Sequence, residues 1–322
     1  MSLIVFQDQV STAATELVAQ EVEKFNAASG GALVLGGADH IGDYIERTSW
    51  QLIGNLAQRR NAYGSGSLNA QQMGQILDRM VKVDGRVGPI EVTPTMLKRL
   101  GKDVSEAAAV VAAQAAAAMM QDYLNAGVAA LKTATGKTAD SFKDLSGAKA
   151  SPVKPTLLGL NQGSRLFGDA YSRIVTWIMD GATFHDFGDE AMKNATNLYR
   201  IGDVNVMQDH MGRRFVVSDI PALFDTTGGA ALQSCLGLTT GALAVQTSPL
   251  IMKAQDILLN ENIKTVMQGE YDFTVGIKGY QFKDGVKSPT DAQLATAANW
   301  TRISTSVKDT AGVQVVFGAK AA

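Results

Sequence analysis

A single cysteine, Cys235, rules out an intramolecular disulfide. It reads as a small buried hydrophobe rather than a catalytic thiol, and the chain as one that folds in a reducing cytoplasm. Charge is sparse as well: 19% of the 322 residues are charged and the formal net charge is −2, so there is no overall basic excess for gripping nucleic acid. Any DNA contact must be local or weak. Long apolar runs are missing too. The opening "MSLIVFQDQVS" holds only four consecutive apolar residues, Leu3 to Phe6, without a basic flank before them, which is too short for a secretory signal. The stretch Ser105 to Lys132 has the length to cross a bilayer, but Gln114, Gln121, Asp122 and Asn125 interrupt it. Alanine, its commonest residue, gains little from lipid, so no membrane is expected.

Catalytic signatures are equally thin. "LKTATGKT" (Leu131 to Thr138) ends in the Gly-Lys-Thr of a phosphate loop, yet Leu131 stands where the first glycine is required and a helical stretch precedes it. The paired glycines at 30/31, 36/37 and 64/66 complete no dinucleotide fingerprint, and no serine is flanked by glycines in a nucleophile elbow. His40, His185 and His210 are far apart, and each has a nearby Asp that would have to converge with other ligands through folding. Asp186, Asp189 and Glu190 read as a solvated helix face. Trp50, Trp177 and Trp300 are not interleaved with basic residues and read as core anchors, not as a base-stacking platform. No cofactor and no metal are implied.

What is abundant is alanine, in one place. Asp103 followed by Glu106 fits a capping box, and no proline occurs between Pro94 and Pro152, so a helix is predicted from Asp103 to about Leu131, a rod about 40 Å long. Gly127 inside it costs about 1 kcal/mol relative to alanine. Met120, Leu124, Val128 and Leu131 mark one apolar stripe on the second half, whereas Ala107 to Ala118 present methyl groups or valine on nearly every face. Such a rod is either laid across a sheet within one subunit or packed partly by a neighbour, and composition does not separate the two.

Charge is unevenly placed around it. Residues 1–50 carry seven acidic against two basic residues, a net of −5, and residues 51–102 carry eight basic against three acidic, a net of +5. The second segment, with "NAYGSGSLN" and "VDGRVGPIEVTP", reads as an extended, turn-rich excursion. An acidic arm and a basic loop of this kind suit contacts between subunits, where complementary potentials set register. Arg59, Arg60, Arg79, Lys82 and Arg86 are the expected docking residues of the loop.

After the rod, Thr133 to Pro155 reads as a connector. A short helix near Gln162 to Tyr171, a strand at Arg173 to Met179, a helix near Ala182 to Asn194 and strands at Arg213 to Ile220 and Gly241 to Gln246 form a small α/β unit. In "EYDFTVGIKGYQF" the apolar parity alternates from Tyr271 to Ile277 and shifts after Gly279, which marks a strand and then a bulge or turn. The tail Ile303 to Gly318 reads as two strands joined at Asp309 to Gly312.

This order of parts, with "FGDAYSRIVTWIMDGATFHDF" (Phe167 to Phe187), "GDVNVMQDHMGRRFVVSDIP" (Gly202 to Pro221) and "SPTDAQLATAANWTRI" (Ser288 to Ile303), resembles the major capsid proteins of tailed bacteriophages, gp13-like family. The resemblance implies an α+β, HK97-like fold: an N-terminal arm (1–48), an extended loop region (49–102), a peripheral domain with the spine helix (103–159), an axial domain (160–255) and return strands of the peripheral domain (256–322). It implies no enzyme. The expected work is self-assembly of hexamers and pentamers into an icosahedral virion shell around double-stranded DNA, put together in the bacterial cytoplasm. Expected partners are further copies of the chain, a portal protein and DNA held without sequence preference, with a separate scaffold protein or none, and decoration proteins left open. No fused cleavable scaffold segment is expected. A shell of the same fold loaded with protein cargo, or a nucleotide-binding enzyme using Lys137, are the alternatives.

Overall fold

The computed structural model describes residues 3–37, 41–50, 59–67, 74–93, 104–148, 151–193, 198–200, 206–209, 213–226, 231–258 and 264–318, with 70, 95 and 99. Two long helices dominate it. Leu3–Ala28 forms an N-terminal helix, and Val104–Gly136 forms the rod, 33 residues long. The rod runs about one turn beyond the predicted end at Leu131, so Thr133 to Gly136, expected in the connector, close the helix instead. Nothing in these residues breaks it: Thr133 and Thr135 return their hydroxyls to the carbonyls of Ala129 and Leu131, and Gly136 stops it. The predicted cap, Asp103, lies outside the described residues.

The alanines of the rod have an internal explanation. Val10, Ala14, Val18 and Val22 are buried at a spacing of four along the N-terminal helix, and Ala108, Ala112, Ala115, Ala116 and Met119 are buried on the first half of the rod. The two helices pack along one another. Small side chains on the rod let the backbones approach, so one face of its methyl-rich half seats the chain's own N-terminal helix, while Ala109, Ala113, Ala117 and Ala118 stay exposed on the other. On the second half Tyr123, Ala126, Val128, Ala130 and Leu131 are buried in the same core as the first sheet. A Cβ on Gly127 would lie 2.7 Å from Cδ2 of Leu243, so the residue that weakens the helix is the one that admits the sheet.

In chain order the strands are β1 Leu33–Leu35, β2 Tyr44–Trp50, β3 Gln75–Val92, β4 Phe142–Asp144, β5 Ile174–Met179, β6 Leu198–Arg200, β7 Val206–Asp209, β8 Arg214–Val217, β9 Phe224–Asp225, β10 Leu232–Thr239, β11 Leu243–Thr247, β12 Ile251–Ile257, β13 Lys264–Ile277, β14 Tyr280–Phe282, β15 Trp300–Arg302 and β16 Gly312–Gly318. One sheet runs β1-β11-β13-β14-β15, with β12 and β3 also on β13 and β2 on β3. The other runs β4-β16-β10-β5-β8-β7-β6, with β9 on β10. Its core is a second apolar cluster of Leu160, Phe167, Trp177, Phe187, Phe215, Cys235, Val315 and Phe317. Cys235 is fully buried and its thiol is pushed up by desolvation, which leaves it inert.

Several strands differ from expectation. Residues 51–102 read in sequence as an extended, turn-rich excursion, yet the 18-residue β3 within them pairs with β2 as a long antiparallel hairpin, because Val81 and Val83 alternate with polar residues and are buried against the core. β11 and β12 hydrogen-bond into the first sheet through β13, and β16, from the chain's end, hydrogen-bonds into the second through β10. The sheets therefore exchange strands across the boundary expected near residue 255. The tail's first strand is Trp300–Arg302, ahead of the expected start at Ile303. At Lys278-Gly279 the parity shift proves to be a tight turn: Ile277 pairs with Tyr280 and Gly279 takes φ +79°.

Candidate assembly interface

The β2–β3 hairpin carries most of the residues singled out for docking. Its ladder runs from Tyr44 opposite Val81 to Trp50 opposite Gln75. Beyond that end, Arg59, Arg60 and Tyr63 are exposed, Tyr63 almost completely, and neither arginine has an ion-pair partner among the described residues. Arg79, by contrast, is turned inward on its own chain. Its guanidinium donates to Glu46 at 2.7 Å, lies 3.7 Å from Asp284 and sits over the ring of Tyr44. Lys82 is paired with Asp272 of β13. Part of the charge split between residues 1–50 and 51–102 is thus neutralised within one hairpin, Glu46 against Arg79, because strand pairing brings the two segments side by side.

Arg86 stands apart from both sets. It is exposed, opposite Glu270 in register, and lines an open cleft of about 730 Å³ with Asp84, Glu270, Asp272 and Ile251. Asp84 and Asp272 face each other directly across β3 and β13, an arrangement of like charges that destabilises a ladder unless a cation intervenes. Lys82 is the cation that pairs with Asp272.

Beneath the hairpin base, the rod is tied to the sheet by a polar and aromatic junction. Tyr271 donates its hydroxyl to Oδ2 of Asp122 at 2.6 Å, and the Tyr123 ring meets Tyr271 and Phe273 edge-on at 5.8 and 4.9 Å between centroids. Burial raises the Asp122 carboxyl above the ordinary carboxylate range, the Tyr271 hydrogen bond opposes that, and Asp291 adds to it. The Tyr123 hydroxyl is buried without a hydrogen-bond partner.

Other expected features land elsewhere. Lys137 donates its ammonium to the carbonyl of Trp300, just past the C-terminal end of the rod, where free carbonyls and not N–H groups gather. Asp186 accepts from Lys154 at 3.0 Å and from Gln233 at 2.8 Å, and so is a structural acceptor more than a solvated charge. His185 is exposed, while His40, His210 and Glu190 fall outside the residues or side chains described. No group of three metal-ligating side chains occurs among the described residues, and no helix there is long and apolar enough to cross a membrane. Trp177 and Trp300 are core residues as expected, at 1% and 0% exposure, but Trp50 is 63% exposed. That reading of Trp50 is corrected: it stands at the end of the ladder, past the last strand pair that the core supports.

Two sheets that share strands across the chain, the first packed on a long helix and carrying the β2–β3 hairpin, are an arrangement also found in solved phage capsids. The chain resembles the cyanophage Pam1 capsid (TM-score 0.53, 14% identity, 87% of this chain and 86% of that one) and the capsid of Ralstonia phage GP4 (0.56, 9%, 91% and 89%). It is similar also to the head of Helicobacter pylori bacteriophage KHP40 (0.52, 8%, 92% and 89%). No curated protein sequence matches it. The chain belongs to the Gp13-like family, Major capsid protein 13-like, whose family model matches residues 2–314. It is a shell-forming subunit of a tailed-phage head, with an HK97-like α+β fold, and its place is the virion.

Proposed function

We propose that copies of this chain close into an icosahedral shell of hexamers and pentamers around double-stranded DNA, and that the work is mechanical rather than catalytic. The observation that carries the reading is the division of labour along the hairpin: Arg79 and Lys82 brace it within the chain, while Arg59 and Arg60 remain exposed beyond its end. A hairpin stiffened along β3, with exposed cations in the segment that joins its strands, is suited to reach another subunit. Arg86 joins this set as an exposed cation at the base.

Residues 1–48 serve as the arm, its helix folded back on the rod, and 49–102 as the extended loop; the peripheral domain takes 103–159 and most of 256–322 together with β11 and β12, and the axial domain takes the rest of 160–255 together with β16. A portal protein completes the head, and any scaffold or decoration protein is a chain separate from this one. DNA meets the inner face through its backbone and without sequence preference, in keeping with a net charge of −2. The nucleotide-site alternative is disfavoured by Lys137, whose ammonium is held on a carbonyl just past a helix C-terminus, the wrong end of a helix for a phosphate.

Negative-stain electron microscopy of the purified protein, expressed alone and with its neighbouring genes, tests the reading. Uniform closed shells, with nuclease-resistant DNA in particles from infected cells, are expected. A stable monomer or small dimer under every condition would overturn it, and shells filled with protein cargo would replace DNA by a compartment.

A further inference from the structure

Trp50 is the one tryptophan that the fold leaves uncovered. It shares a face of β2 with Thr48 and Glu46, opposite the exposed Gln75, and no other strand covers it among the described residues. Exposed indoles are costly to leave in water, and tryptophan, tyrosine and arginine dominate the energetic centres of protein interfaces. Trp50 stands at the base of the segment that carries Arg59, Arg60 and the exposed Tyr63.

A second exposed apolar set lies on the β12–β13 hairpin. Ile251 is 64% exposed and Ile257 40%, both on the outward side of β12, since the intervening Met252 is buried. With Val266 they wall a groove of about 560 Å³ that also holds Lys253, Gln268 and Glu270. The groove combines apolar walls for an indole ring, a lysine for its π face and a carboxylate for a guanidinium.

Within one chain the two surfaces cannot meet. Trp50 is level with Gln75, whereas Ile251 is level with Glu270 and hence with Arg86, eleven residues further along β3. At about 3.3 Å per residue that is roughly 36 Å along a continuous strand. The partner must be another copy, which a shell of this chain supplies in abundance.

We propose that Trp50 is an anchor of the contact between copies: its indole seats in the groove between Ile251, Ile257 and Val266 of a second copy, with Arg59 or Arg60 reaching Glu270. The inference rests on the shell-forming role and names one of its contacts.

Fluorescence tests it directly, because Trp177 and Trp300 are buried and only Trp50 is open to a quencher. In the unassembled wild-type chain, acrylamide should quench one tryptophan of three, and assembly into shells should shift the emission to the blue and remove that quenching. Shells in which Trp50 is still quenched overturn the proposal while leaving shell formation intact. Trp50→Ala and Ile257→Asp should each keep the circular dichroism of the monomer and weaken assembly at least tenfold by light scattering. The double variant should lose little more than either alone. Ile257→Asp shells that form normally with Trp50 shielded overturn the groove as its seat.

Discussion

Asp122 shows how a single residue of the rod couples helix to sheet at a cost. Its carboxyl is raised by burial, so the folded chain holds that proton more tightly than the unfolded chain, whose aspartates titrate near 3.9. The stability contribution is therefore fully present when Asp122 is protonated and declines as pH climbs from about 4 through the raised folded value. Asp122→Asn keeps an acceptor for Tyr271 and removes the charge. Thermal melts of the unassembled chain should show the variant at least as stable as wild type at pH 7, with less decline between pH 4 and pH 7; parallel curves would refute the assignment. At this scale the sequence was a fair guide to Cys235, Trp177 and Trp300, whose types predict burial. It failed for Trp50, because residue type says nothing about whether the supporting core extends as far as the residue.

At the scale of elements the pairing of the N-terminal helix with the rod is the central feature. Ala112 is buried and Ala113, one step round the helix, is exposed. Ala112→Leu forces extra methylenes between the helices and should destabilise the chain by about 1–3 kcal/mol in urea denaturation, whereas Ala113→Leu should change stability by about 0.5 kcal/mol or less. Equal effects would mean that the alanine run is not read by the neighbouring helix. The rod itself was legible from alanine content and the missing prolines. The hairpin was not, because glycines at 85 and 88 and Pro89 resemble turn signals in sequence, although all three lie within β3. The 14-residue β13 pairs with that stretch, with a register irregularity near Gly269, and tertiary pairing overrides the local preference.

For the whole molecule the question is which charges serve folding and which serve assembly. Arg59→Glu combined with Arg60→Glu should leave the monomer's melting temperature unchanged, since neither side chain has an ion-pair partner among the described residues, and should abolish or misdirect shell assembly. Salt should weaken wild-type assembly in the same sense, as expected for exposed pairs screened over about 10 Å at 0.1 M. Arg79→Ala is the useful contrast, because it removes the partner of Glu46 and should loosen the hairpin before any neighbour is met. Normal shells from the double charge reversal would send the search for the docking residues elsewhere.

Composition and local pattern alone determined the long helix and the alternating strand at Tyr271 to Ile277 with its break at Gly279, because helix propensity and strand parity are short-range properties. The order of elements, with three family-like stretches, also carried the family. Only the tertiary structure decided that Leu3–Ala28 form a helix folded onto the rod, that Glu46 and Arg79 neutralise one another, and that Trp50 is left in water. Each of these depends on which distant segments the sheets bring into register, and register is set by the burial of β13 between β3 on one side and β11 and β12 on the other.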